Sequence, residues 1–124
     1  MKKQIITESG VSIAVINSEE PVITDGRTAM DIIADVYYTD GCDCMILNKE
    51  SLTENFFALG SGVAGEVLQK FVNFSMKVAI TGDFSGYKSK ALKDFIYESN
   101  RGNSVFFVPS MQDGVEKLVK KGNI

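Results

Sequence analysis

Residues 60–81 read Gly-Ser-Gly-Val-Ala-Gly-Glu-Val-Leu-Gln-Lys-Phe-Val-Asn-Phe-Ser-Met-Lys-Val-Ala-Ile-Thr. Val63, Val67 and Phe71 recur at i, i+4 and i+8, with Leu68 and Val72 beside them, which predicts an amphipathic helix starting near Gly62. Lys77–Thr81 then predicts a short core strand, ended by Gly82-Asp83. Upstream, Cys44–Leu47 is another short apolar run, of the kind that suits a strand buried on both faces. A strand, a helix and a strand in this order imply a right-handed crossover and a parallel pair.

The same alternation extends in both directions. Towards the N-terminus, Gln4–Thr7 and Val11–Ile16 flank Ser9-Gly10 and predict a β-hairpin. Asp25 is placed to cap a helix whose apolar line is Met30, Ile33 and Tyr37, with Ile32 and Val36 beside it, and Asp40-Gly41 ends it. Ser51 and Thr53 are placed to cap a brief helical segment that runs through Phe56 to Leu59. Towards the C-terminus, Ser89 caps a helix that turns Leu92, Phe95, Ile96 and Ser99 one way, and Gly102 stops it. Ser104–Val108 is the last strand, and Ser110, with Asp113 three residues on, opens a final helix carrying Val115, Leu118 and Val119. The order β-β-α-β-α-β-α-β-α predicts one α/β domain over residues 1–124. It should hold an N-terminal hairpin, alternating βα units, a mostly parallel sheet of four or five strands and about four helices.

Composition narrows the chemistry. The chain has 124 residues, a net charge of −3 and no histidine. The missing histidine excludes Ser–His and Cys–His nucleophiles and His-ligated metal centres. Cys42 and Cys44 are the only cysteines and are too few for a zinc site, so no metal is expected and both read as buried or half-buried thiols. The acidic balance argues against nucleic acid as a partner. No apolar run approaches the length of a membrane span or a signal-peptide core, so a cytoplasmic location is expected. Charge is nevertheless uneven. Residues 8–66 carry eleven acids against Arg27 and Lys49, whereas residues 67–124 carry nine bases against five acids. A chain polarised in this way could pair head to tail, as in a homodimer, or offer opposite faces to different protein partners, unless the charges are solvated and average out in the fold.

Gly60-Ser61-Gly62-Val63-Ala64-Gly65 matches the G-x-G-x-x-G pattern of dinucleotide sites, and Asp83 follows 18 residues after Gly65. A working fingerprint begins directly after a strand, yet residues 48–59 separate Cys44–Leu47 from Gly60. The glycines therefore read as a helix junction, and no cofactor is expected. In that reading Gly60 ends the preceding turn in a left-handed conformation, Ser61 caps the next helix, and Gly62 and Gly65 allow close approach to the sheet.

Four stretches carry a family likeness: Leu47-Asn48-Lys49-Glu50, Gly62 to Phe71, Gly82-Asp83-Phe84-Ser85, and Asp94 to Asn100. Together, and in this order, they resemble the bacterial family called domain of unknown function 4180, over about Val11 to Leu118. The resemblance implies no established activity. The element order is also similar to that of the STAS domain, the fold of anti-sigma-factor antagonists. That likeness implies a phosphorylatable serine at a helix start, for which Ser61 is the nearest counterpart. Asn48 stands where the STAS pattern ends its third strand in Asp, and the Asp-Ser-Ser-Gly signature is absent.

Two places could carry function. One is Ser61, as a phosphorylation or anion site at the start of a helix. The other is the rim where parallel strands end, onto which Asp25, Asn48, Lys49, Glu50, Asp83, Ser85 and Lys90 should emerge. Phe84 and Tyr87, between Gly82 and Lys90, read as aromatics lidding the core. The preferred expectation is a non-enzymatic regulatory or protein-interaction module. The alternative is a small enzyme, or a protein binding a small molecule or anion, with a rim pocket that uses Lys49, Glu50, Asp83 and Lys90.

Overall fold

In the computed structural model, which describes residues 1–120, strands and helices alternate as the sequence predicts. Strands β1 (Lys2–Glu8) and β2 (Val11–Asn17) form an antiparallel hairpin. Helix α1 (Gly26–Ala34) leads to β3 (Cys44–Asn48), α2 (Val63–Asn73) to β4 (Lys77–Thr81), and α3 (Lys90–Asn100) to β5 (Val105–Val108). Helix α4 (Met111–Val119) follows. The sheet order is β1-β2-β3-β4-β5, with β2 to β5 all parallel. Neighbouring strands are therefore consecutive in the chain.

That order decides the layering. Right-handed crossovers that always step the same way place their helices on one face of the sheet. The alternation of side chains along each strand sends Ala14, Ile16, Met45, Leu47, Val78, Ile80 and Phe107 into a core shared with Ile33 of α1, Val67 and Phe71 of α2, and Leu92 of α3. The opposite face carries Ile13, Cys44, Ile46, Ala79, Phe106 and Val108 under Val115 and Leu118 of α4. Both cysteines are free and buried, as expected. Among the described residues, no helix is long and apolar enough to cross a membrane.

Several local expectations are corrected. The buried line of α1 and the turn after it is Ala29, Ile33 and Val36, while Met30 and Tyr37 are exposed. Ala29 is small, so α1 can approach its neighbours closely there, and burial follows fit rather than side-chain size. Beyond Ala34 the helix widens into a π-helical turn, Asp35–Thr39, that the sequence did not signal. Lys3 of β1 pins this turn, its Nζ lying 2.7 Å from Asp35 and 2.6 Å from Asp40. Residues 49–61 form three short 3-10 segments rather than one helix, and Thr53 makes no side-chain cap. In α2, Val72 is exposed and Ala64 takes its place in the core.

The glycine junction is also rearranged. Gly62, not Gly60, adopts the left-handed conformation (φ +82°) and is the N-cap residue of α2. A Cβ at Gly62 or Gly65 would meet nothing within 4 Å, so neither allows a close approach to the sheet. The need at Gly62 is for backbone conformation, not space.

Candidate functional site

The four parallel strands end on one side of the molecule, where the loops after Asn17, Asn48, Thr81 and Val108 meet. Asn48, the last residue of β3, clamps the loop after β2. Its Oδ1 accepts from Ser18 N at 2.9 Å, and its Nδ2 donates to Ser18 O at 2.6 Å. The amide thus supplies both bonds that a strand neighbour would supply. Nδ2 also reaches Glu50 Oε1 at 3.2 Å. The Ser51 hydroxyl donates to Asn48 O, while Ser51 O accepts from Val22 N and Ile23 N. Asn48 and Ser51 therefore hold two loops together at the end of the sheet.

Lys49 crosses the start of the next loop. A Cβ on Gly82 would stand 2.8 Å from Lys49 Cβ, so only glycine leaves room for this crossing. Lys49 Nζ donates to Asp83 O at 3.2 Å and lies 5.0 Å from the centre of the Tyr87 ring. Asp83 folds back on its own loop, its Oδ1 accepting from Ser85 N at 2.9 Å and from Ser85 Oγ at 2.6 Å. Those bonds hold the Asp83 carboxyl below the usual carboxylate range.

Tyr87 stacks on Phe57 with centroids 5.1 Å apart, and Phe84 packs against Phe57 and Phe107. These aromatics lid the core, as the sequence suggested. Among the described residues, the Tyr87 hydroxyl is enclosed and has no partner in hydrogen-bonding geometry, although Glu54 stands near it. Burial first, then Glu54 and Glu50, push the phenol up to about 12.

The remaining candidates are dispersed. Asp25 caps α1: its Oδ1 accepts from Thr28 N at 2.9 Å, and Thr28 Oγ1 accepts from Asp25 N at 3.1 Å. Glu66 of α2, which the sequence reading passed over, accepts from Gly26 N at 2.9 Å. Two of the protein's own carboxylates thus occupy the start of α1, where a bound anion would otherwise fit. Ser61 is exposed; its hydroxyl donates to Asn55 O at 2.6 Å and accepts from Val63 N at 3.2 Å. Lys90 pairs with Asp94 one helical turn on, at 2.8 Å on the surface of α3. Asn48, Lys49, Glu50, Asp83 and Ser85 are therefore brought together, Asp25 lies at the start of α1 beside Glu66 of α2, Ser61 lies at the start of α2, and Lys90 stands apart.

Open α/β sheets bind ligands where the strand order reverses, and this order does not reverse. Concavities occur elsewhere. One of about 460 Å³ lies near the starts of β4 and β5 and is lined by Lys77, Arg101, Asn103, Lys117 and Lys120. Among the described residues, no group of three or more Cys, Asp or Glu could hold a metal ion.

A protein-family model described as "Domain of unknown function (DUF4180)" matches residues 8–118. The chain belongs to the DUF4180 family. No curated protein and no solved structure matches it. In this DUF4180 chain the residues that carried the likeness hold structural positions. Asn48 clamps Ser18, Lys49 crosses Gly82, and Glu66 bonds to the start of α1. Asn100, at the end of α3, repeats the device of Asn48: its Oδ1 accepts from Phe107 N at 2.7 Å and its Nδ2 donates to Phe107 O at 3.1 Å. For Asn48 an asparagine at the end of a strand was the available signal, because its amide carries one donor and one acceptor in the spacing of a peptide group, whereas Asn100 ends a helix and gave none.

Proposed function

We propose that this DUF4180 domain is a non-enzymatic regulatory module of the bacterial cytoplasm that binds another protein through its strand-end rim. What supports the reading is the commitment of the rim's polar groups to the protein's own backbone. Asn48 is bonded to Ser18, Lys49 to Asp83 O, and Asp83 to Ser85. Groups fixed in this way present a preordered surface of both charges, which favours specific docking with little ordering cost. Buried thiols fit a reducing compartment; the Cys44 thiol is pushed up to about 11 by burial, then by Asp43 and Cys42. Ser61 supplies a point of control. A phosphate there would remove the bond donated to Asn55 O and set negative charge at the start of α2.

The test is site-specific photo-crosslinking in cells. A crosslinkable residue at Ser85 or Glu50 should give one discrete higher-mass species, and the same residue on the outer face of α3, at Lys93, should not. Intact-mass measurement of the purified protein should reveal a phosphoform that Ser61→Ala removes. Absence of both the discrete species and the phosphoform would overturn the proposal.

A second reading, a small-molecule or anion-binding protein, is favoured by one observation. The Tyr87 hydroxyl is enclosed beside Glu54 and Glu50, at the edge of the same rim, without a hydrogen-bond partner among the described residues. Thermal-shift measurements with nucleotides and inorganic phosphate should then show a rise in melting temperature that Tyr87→Phe abolishes.

A further inference from the structure

The two margins of the sheet are unequal. At β5, Asn100 occupies the outward N–H and C=O of Phe107. At β1, no further strand pairs with the outer edge among the described residues. This edge is seven residues long, regular in register, and without proline or bulge. Such an edge is a template for another strand.

The hairpin geometry states which groups it offers. Ser9 and Gly10 both have positive φ (53° and 80°), the signature of a two-residue type I′ turn, which closes on a hydrogen-bonded pair. Glu8 with Val11 is that pair. Bonded and non-bonded pairs then alternate, so Lys2, Gln4, Ile6 and Glu8 bond to β2, while Lys3, Ile5 and Thr7 turn their N–H and C=O outwards. The far side of β2 agrees with this parity. Ser12 O accepts from Cys44 Sγ, and Ser18 N and O are clamped by Asn48, so the even residues of that chain segment face β3.

We infer that β1 pairs antiparallel with β1 of a second copy of this chain, about a two-fold axis through Ile5. This register opposes Ile5 to Ile5 and Lys3 to Thr7, which joins outward-facing groups to outward-facing groups. It also opposes Lys2 to Glu8 at both ends and Gln4 to Ile6. Shifting the axis to Lys3 would oppose Lys3 to itself and leave Thr7 unpaired; shifting it to Thr7 would leave Lys3 unpaired. The Ile5-centred register alone overlaps all seven residues and matches unlike charges. Neither Lys2 nor Glu8 belongs to an ion pair within the protomer among the described residues, so both are available. Ile5, 43% exposed, becomes covered at the axis. The product is a continuous ten-stranded sheet built from two five-stranded ones. This inference is independent of the rim reading, since the rim is not part of the seam.

Sedimentation velocity across a concentration series tests it on the full chain. The wild type should form a dimer. Ile5→Pro removes an outward N–H without touching a bond to β2, so it should abolish the dimer while the melting curve stays cooperative. Lys2→Glu sets like charges opposite one another at both ends and should weaken association by roughly tenfold or more. Adding Glu8→Lys to that variant should restore it, because the pairs are then reversed rather than removed. A wild type that stays monomeric, a dimer indifferent to Ile5→Pro, or a double variant no stronger than Lys2→Glu would overturn the inference.

Discussion

The two faces of this sheet are made from the same strands but carry different loads. Among the described residues, the face with three helices holds a core of twenty buried residues, and the face with α4 a core of eight, two of them from α4 itself. The cause is topological. A consecutive strand order with crossovers of one hand has no choice of side for α1, α2 and α3. Only a helix that follows the last strand is free to cross over, and α4 does so. The comparison teaches that stability and covering are distributed by strand order before any side chain is chosen.

The largest expected effect breaks this comparison directly. Phe71→Ala, in the three-helix core, should lower unfolding free energy by about 4 kcal/mol. Leu118→Ala, under α4, should cost about 2 to 3 kcal/mol, because the thinner layer can collapse around the loss. Urea denaturation of both variants gives the ranking, and equal losses would mean that the faces are equally packed.

A middle-sized effect sharpens the contrast between interior and margin. Asn48→Ala should cost about 2 kcal/mol, since it strands the N–H and C=O of Ser18 in a part-buried loop. Asn100→Ala frees Phe107 at the sheet edge, where water replaces the amide, and should cost about 1 kcal/mol. The same denaturation series measures both.

The smallest effect is a pH dependence. Hydrogen bonds from Thr28 and from Ser85 lower the pKa values of Asp25 and Asp83 relative to the unfolded chain. Each therefore contributes stability that is present above the unfolded value near 3.8 and is lost as pH falls through the lower, folded value. Between pH 7 and about 5 the midpoint should not move on their account; below about pH 4 it should fall. Asp25→Asn and Asp83→Asn should each flatten part of that acid slope.

The elements were legible because their signals are local. Cys44–Leu47 and Lys77–Thr81 are apolar runs bounded by polar residues, and Ser89 and Ser110 cap the helices expected of them. The π-helical turn was not legible, because Asp35–Thr39 carries no composition distinct from an α-helix and is pinned by Lys3 from a distant strand. Three glycines in six residues could not say which one turns left-handed. The rim was legible as a meeting place, since loops after parallel strands must share one side. What each polar group does there was not: Asn48 and Asp83 bind backbone across or within loops, which leaves no pattern in side-chain sequence, whereas Asp25 caps α1 as its place before the helix predicted.

An open sheet has two ends, and assembly depends on how each is finished. Asn100 plugs one end with a side-chain amide that imitates a neighbouring strand. The other end has no plug, and its twofold-matched strand is satisfied by a single copy of itself. A ribbon capped at Phe107 and self-complementary at β1 closes into a pair, and the cap hinders the addition of a further strand at the other end. A single asparagine thus bears on the size of the assembly.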